Sequence, residues 1–252
     1  MKYDVLLTDL GSDTLSVTLA VQSSIQQLVP LAIIDVEQAR DWLTHLPILL
    51  HRGISETQAH DVQAHYQQLG ATVSMIPSQR FFPPDAQGIT RWHNDRFSEK
   101  LIALHEQDLR KWSQAETIIE AYRFSFLPTY GTDLTVRVWA CEAHFHACAR
   151  RGSRHIGPLP GPPAQVIHWH PSADDWQAVR DALHTHHFWS ADSWDTVPDG
   201  YTIVATEHWV MEGVRNARYK VLVDQTPNEG SAREVGLLLL GLLPDVFLLP
   251  NI

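Results

Sequence analysis

The chain of 252 residues predicts an α+β protein: a small β-α-α-β-α-β unit followed by a larger unit built on an antiparallel sheet. Three observations carry this. Strand-like and helix-like runs alternate in that order over the first third. Period-two alternation joined by turn residues dominates the rest. Tryptophan content changes abruptly between the two: Trp42 stands alone, whereas the other eight all follow residue 90. The segment between, PSQRFFPPDAQG, has the Pro, Gly and polar content of a linker. The predicted organisation is therefore 1–77, a linker over 78–90, and 91–252. Phe81 and Phe82 imply that this linker docks on a neighbour.

In the first unit, residues 3–10 read as an apolar strand ending at Gly11. Residues 14–28 read as a helix with Asp13 as N-cap. A second helix spans 35–45 and stops before Pro47, and Ile48 to Leu50 form a short strand. Ser55 then caps a helix, with Gln58 three residues on completing a capping box. Gly70 ends that helix, and Ala71 to Ile76 return as a strand.

The run HRGISETQAHDVQAHYQQLGATVSMI, with the opening strand and Gly11, resembles the C-terminal domain of the bacterial ribosomal stalk protein L7/L12. The resemblance covers about the first third of the chain and implies that domain's fold, shared with the ClpS-type protease adaptors. The family recruits translation factors through basic residues on its first helices. The matching positions here are Thr14, Leu19 and Gln22, none basic. The family's Gly-Leu-Gly turn is replaced by QLVPLAIID, and nothing matches the ClpS peptide pocket. Docking that depends on charge does not survive loss of the charges, so the resemblance implies a scaffold without its usual task.

In the second unit, 95–118 reads as a polar amphipathic helix with Phe97, Leu101, Leu104, Leu109 and Trp112 on its apolar side. Strands are expected over 121–128, 134–150, 164–169, 201–210 and 217–224, with turns at EGVRN and GPLPGPP. Ser172 or Asp174 opens a helix to about His186, and a last helix starts near Ser231. An antiparallel sheet with helices on one face is the expected architecture.

Composition bounds the function. Nineteen basic residues against 29 acidic give a net charge of −10, which argues against nucleic acid and for a basic or neutral partner. Protonating all 15 histidines would bring the formal charge to +5. Cys141 and Cys148 form no disulfide framework; seven apart in one strand, they would face opposite ways. Reduced thiols, and an N-terminus without a basic then apolar leader, predict a cytoplasmic protein. GLLLLGLLPDVFLLP is short, Pro-interrupted and carries Asp245, so no membrane span is expected.

Chemistry has one sequence candidate, CEAHFHAC. On a strand, Glu142, His144, His146 and Cys148 face one way and could hold zinc with His168 and His170. No HExxH, CxxC, P-loop, G-x-S-x-G or dinucleotide motif is present, and strand faces carrying His and Glu are usually solvated. Cys148 reads as a small core residue. Binding candidates are the aromatic loop with Trp189, Trp194 and Tyr201, and the basic cluster Arg150, Arg151 and Arg154 beside GPLPGPP. The sequence therefore predicts a non-catalytic, adaptor- or inhibitor-like protein with a protein partner and no cofactor. The alternatives are a metal-dependent hydrolase or metal-binding protein on the His/Glu/Cys face, and a translation-associated protein acting through the stalk-like unit.

Overall fold

A computed structural model gives the fold. It describes all residues except 29–35, 79, 85, 87–88, 116–117, 130, 142–143, 154–159, 193–206, 226–230 and 248–252. The protein is α+β, with one three-stranded and one six-stranded antiparallel sheet. The first sheet comprises β1 (Lys2–Asp9), β2 (Ile48–Ser55) and β3 (Thr72–Pro77) in the order β2-β1-β3. Helices α1 (Thr14–Leu28), α2 (Val36–Leu43) and α3 (Glu56–Gln68) lie between these strands in sequence. Val5 and Leu7 of β1 are fully buried with Val17, Trp42, Ala59 and Tyr66.

Local chemistry accounts for the helix ends. The Asp13 carboxylate accepts the Ser16 N–H at 3.1 Å. Ser55 and Gln58 form a reciprocal capping box on α3. Gly11 sits at φ +63°, where a side chain would drive its Cβ to 1.9 Å from the Gly70 carbonyl oxygen. Only glycine fits there.

The second sheet runs β7-β6-β5-β4-β8-β9. Its strands are β4 (Ile118–Phe126), β5 (Leu134–Cys141), β6 (His144–Gly152), β7 (Pro163–Trp169), β8 (His208–Arg215) and β9 (Arg218–Gln225). One face carries Tyr122, Phe124, Phe126, Val136, Val138, Trp209 and Met211. It is covered by α6 (Ala173–Thr185) and α7 (Ser231–Gly241) through Trp176, Val179, Leu183, Val235 and Leu239. Gly236 lets α7 approach closely, since a Cβ there would lie 2.5 Å from the Trp209 ring.

The opposite face corrects the expectation of helices on one side only. It is covered by the linker residues Phe81 and Phe82, by α4 (Arg91–Ala103) through Phe97 and Leu101, and by Leu109 of α5 (Leu109–Trp112). The long helix expected over 95–118 is in fact α4, a break, α5 and the start of β4. His105 takes φ +56°, the Glu106 N–H returns to the Leu101 carbonyl at 2.8 Å, and Asp108 caps α5. The apolar spacing carries on across the break, which is why the pattern reads as continuous.

The single strand expected over 134–150 is the β5–β6 hairpin, with Trp139 paired to His146 and Arg137 to Cys148. Cys141 pairs with His144, so both cysteines lie on one face, not on opposite faces. Both are free thiols. EGVRN is not a turn: Glu212 to Arg215 belong to β8, and the reversal falls on Asn216 and Ala217.

Candidate functional site: a basic cleft above a buried ion cluster

The face expected to be solvated buries charge. Glu106 is fully buried and receives Arg137 at 2.8 Å, Arg123 at 3.2 Å, Arg150 at 3.8 Å and the Thr135 hydroxyl at 2.8 Å. Burial alone would raise its pKa, but Arg137, Arg123 and Arg150 outweigh that and hold it at about 2. Arg123 also pairs with buried Glu212, which accepts the Tyr219 hydroxyl at 2.9 Å. Arg137 lies over the Trp112 and Trp139 rings at 4.7 and 5.3 Å. These groups tie α5 and the α4–α5 break to the sheet.

At the edge of this cluster opens a cleft of about 980 Å³. Four segments wall it. The N-terminal sheet supplies Lys2, Arg52 and Gly53; the linker supplies Ser78, Arg80, Phe82 and Pro84. Helix α4 supplies Arg91, Asp95, Arg96 and Glu99, while Asp108, Arg110 and Lys111 come from α5 and its cap. Seven cations and three carboxylates face one cavity, a formal +4 in a chain of −10.

Several of the cations are held in place. Asp95 accepts the Arg80 fork at 2.6 and 3.1 Å, and its backbone carbonyl accepts Arg52 at 2.7 Å. Asp108 accepts both arms of Arg110 at 3.0 and 2.8 Å, and Arg110 also donates to the Arg80 carbonyl. Arg96 meets Glu99 at 3.0 Å. Behind Arg52 lies buried Asp4, which accepts the Gly53 N–H at 3.0 Å and the Ser78 hydroxyl. Lys2 and Arg91 are exposed and make no ion pair among the described residues. Such a cavity can hold several anionic groups at once.

No protein-family model, curated protein or solved structure matches this chain.

The residues singled out by sequence lie elsewhere. Arg150 donates to the carbonyls of Leu104 and His105 and is part of the buried cluster, not a free basic patch. Arg151 sits beside it on β6, opposite Leu134 and Gln165. Trp189 is packed against the core, donating to the Tyr122 hydroxyl at 3.3 Å with Arg215 4.9 Å from its ring centroid. Arg154, Trp194, Tyr201 and Glu142 lie outside the described residues.

The histidine face divides in two. His146 has His170 at 4.9 Å and His144 at 6.5 Å, ring centre to ring centre, and stacks on Trp139. Buried Cys148 lies 3.8 Å from the exposed His168, and burial pushes its thiol up. Among the described residues no three His, Cys, Asp or Glu side chains are arranged to hold a metal ion.

Sequence reading missed the cleft because its cations are scattered from position 2 to 111. The available signal was density: Arg80, Arg91, Arg96, Lys100, Arg110 and Lys111 fall within one 32-residue stretch. Of these, Lys100 alone turns inward, to Asp133 at 2.7 Å and the Pro128 carbonyl at 2.5 Å.

Proposed function

We propose that this chain works by binding, without chemistry of its own, and that the basic cleft captures an anionic partner. The single observation that carries this is the convergence of seven cations from four segments on one cavity of an acidic protein. The adaptor-like reading drawn from the sequence is kept, but its contact surface moves from the aromatic loop to the cleft. The partner's sign changes too: net charge suggested a basic or neutral partner, whereas the local field favours an acidic one. Glu106 and Glu212, two buried carboxylates on this face, are engaged by arginines, which supports a structural role for them.

We read residues 1–77 as a stalk-type scaffold, a reading supported by the order β1-α1-α2-β2-α3-β3 and by Gly11 and the capping box. Helix α1 carries no charged residue, and its Leu15 and Leu19 are exposed, which speaks against charge-guided recruitment of translation factors. No helix among the described residues is long and apolar enough to cross a membrane.

Calorimetric titration with inorganic phosphate, citrate and tripolyphosphate tests the binding role. Saturable binding of at least one probe, abolished in Lys2→Glu/Arg91→Glu, is the expected result. Absence of saturable binding to all three overturns it.

A further inference from the structure

We infer that the cleft selects a compact oligophosphate, a small molecule carrying two or three linked phosphate groups, over extended polyanions. This rests on the anion-binding reading above and adds the chemical class. Three observations lead to it.

The first is charge density. A cavity of about 980 Å³ is about 10 Å across if its three dimensions are equal, and its lining carries a formal +4. An extended peptide advances about 3.3–3.6 Å per residue. About three residues would fit, and alternate side chains would point to opposite walls. A terminal phosphate group carries about −1.5 to −2 and a bridging one has a single ionisable oxygen, so a chain of two or three comes close to balancing +4 within the cavity.

The second is the form of the donors. Five of the seven cations are arginines, and Asp95, Glu99 and Asp108 hold Arg80, Arg96 and Arg110 from one side. A guanidinium fixed this way presents its remaining donors in a set direction, which suits contact with phosphate oxygens; Arg110, whose Nε and Nη2 are taken by Asp108 and the Arg80 carbonyl, offers Nη1. Lys2 and Arg91 add charge that no carboxylate among the described residues neutralises by an ion pair.

The third is the rest of the molecule. Outside the cleft lining the chain holds 12 basic residues and 26 acidic ones, a formal −14. A nucleic acid or long acidic segment must lay part of its charge beyond the cavity, against that acidic remainder. An oligophosphate contained in the cavity avoids this repulsion, which acts over about 8 Å at physiological salt. The pocket also lies within the size range of small-molecule sites, about 300–1,000 Å³.

Calorimetry at physiological salt, with the full chain, decides the matter using three probes: inorganic tripolyphosphate, a hexaglutamate peptide and a 30-nucleotide single-stranded DNA. The expected result is that tripolyphosphate binds at least about tenfold tighter than either other probe. Lys2→Ala and Arg91→Ala should each weaken it by about tenfold, the size expected for one charge-assisted contact, and the two together by about a hundredfold. Their thermal unfolding should match the parent, since both residues are exposed. Tighter binding of hexaglutamate or DNA, lost in the same variants, overturns the oligophosphate class and leaves the anion-binding cleft standing. Tripolyphosphate binding indifferent to all three variants overturns the assignment to this cleft. Failure of every probe overturns both.

Discussion

Replacing Glu106 by Gln keeps the shape of the side chain and removes the charge shared by buried Arg123 and Arg137 and the partly buried Arg150. The wild-type carboxylate has Arg137 at 2.8 Å, Arg123 at 3.2 Å, Arg150 at 3.8 Å and Thr135 at 2.8 Å. Moving its pKa from 4.5 to about 2 corresponds to about 3 kcal/mol of preference for the charged form in the folded protein. Removing one member of a buried ion pair costs about 3–5 kcal/mol by independent reasoning, because the remaining charge stays buried and unpaired. Both routes place the loss at roughly 3–5 kcal/mol, a large fraction of the stability of an ordinary domain. Urea unfolding of Glu106→Gln should show a much lower midpoint with an unchanged slope.

The same carboxylate has a pH signature. Its pKa is depressed on folding, so its contribution is complete above about 4.5 and is lost as pH falls toward about 2. That component of acid destabilisation should be missing from the variant. A loss below about 1 kcal/mol at neutral pH, with an unaltered acid profile, would refute the view that Glu106 organises this cluster.

Other outcomes follow from the same structure. His208 is buried beside His93 and Phe97, and burial, His93 and Lys100 lower its pKa to about 4. The unfolded chain therefore gains a proton between about 6.5 and 4 that the folded chain refuses. Stability should fall by up to about 3 kcal/mol across that window, and His208→Phe should flatten the fall; equal pH profiles for both proteins would contradict this. Gly236→Ala should destabilise by about 1–3 kcal/mol, because its Cβ would meet the Trp209 ring at 2.5 Å. Unchanged thermal unfolding would show that α7 can lift away at no cost. Metal analysis of the purified protein should find no stoichiometric metal, and His144→Ala/His146→Ala should fold normally. A stoichiometric metal lost in that double variant would establish the zinc alternative. Ribosomes should not retain the chain in a pull-down, given Thr14, Leu19 and Gln22 on the first helix; retention would restore the translational reading.

How much was legible in sequence depended on how local each cause was. The α3 cap is written in Ser55 and Gln58, three residues apart, and the structure holds both halves of the box. For helix α6 the sequence offers Ser172 or Asp174 as the start, and the structure opens it on Ser172, with Asp175 completing a box. The α4–α5 break was not legible, since Leu101, Leu104, Leu109 and Trp112 keep helical spacing across it. What bends the chain at His105 is the pull of Glu106 into arginines that arrive from β4, β5 and β6. The CEAHFHAC stretch hid a hairpin because no Gly or Pro stands between Leu134 and Arg151 to mark a reversal.

The same distinction explains the candidate sites. His144, His146 and Cys148 alternate on one strand and could be seen to share a face. Whether His168 and His170 joined them depended on the β6–β7 register, which sets Cys148 against His168. The cleft depends on tertiary packing throughout: Arg52 comes from a strand edge, Arg80 from the linker, Arg91 from a helix start and Arg110 from a single helical turn. Net charge obscured it further, since −10 overall gives no hint of a local +4.

Backbone amide resonances recorded by nuclear magnetic resonance during titration with tripolyphosphate test the central claim most directly. The account predicts saturable shifts confined to the cleft walls, around Lys2, Arg52, Gly53, Arg80, Arg91 and Lys111, with the strands bearing Trp139 and His146 unmoved. Saturable shifts centred on Arg151, on the His144–His146 strand or on Trp189, with the cleft silent, would contradict it.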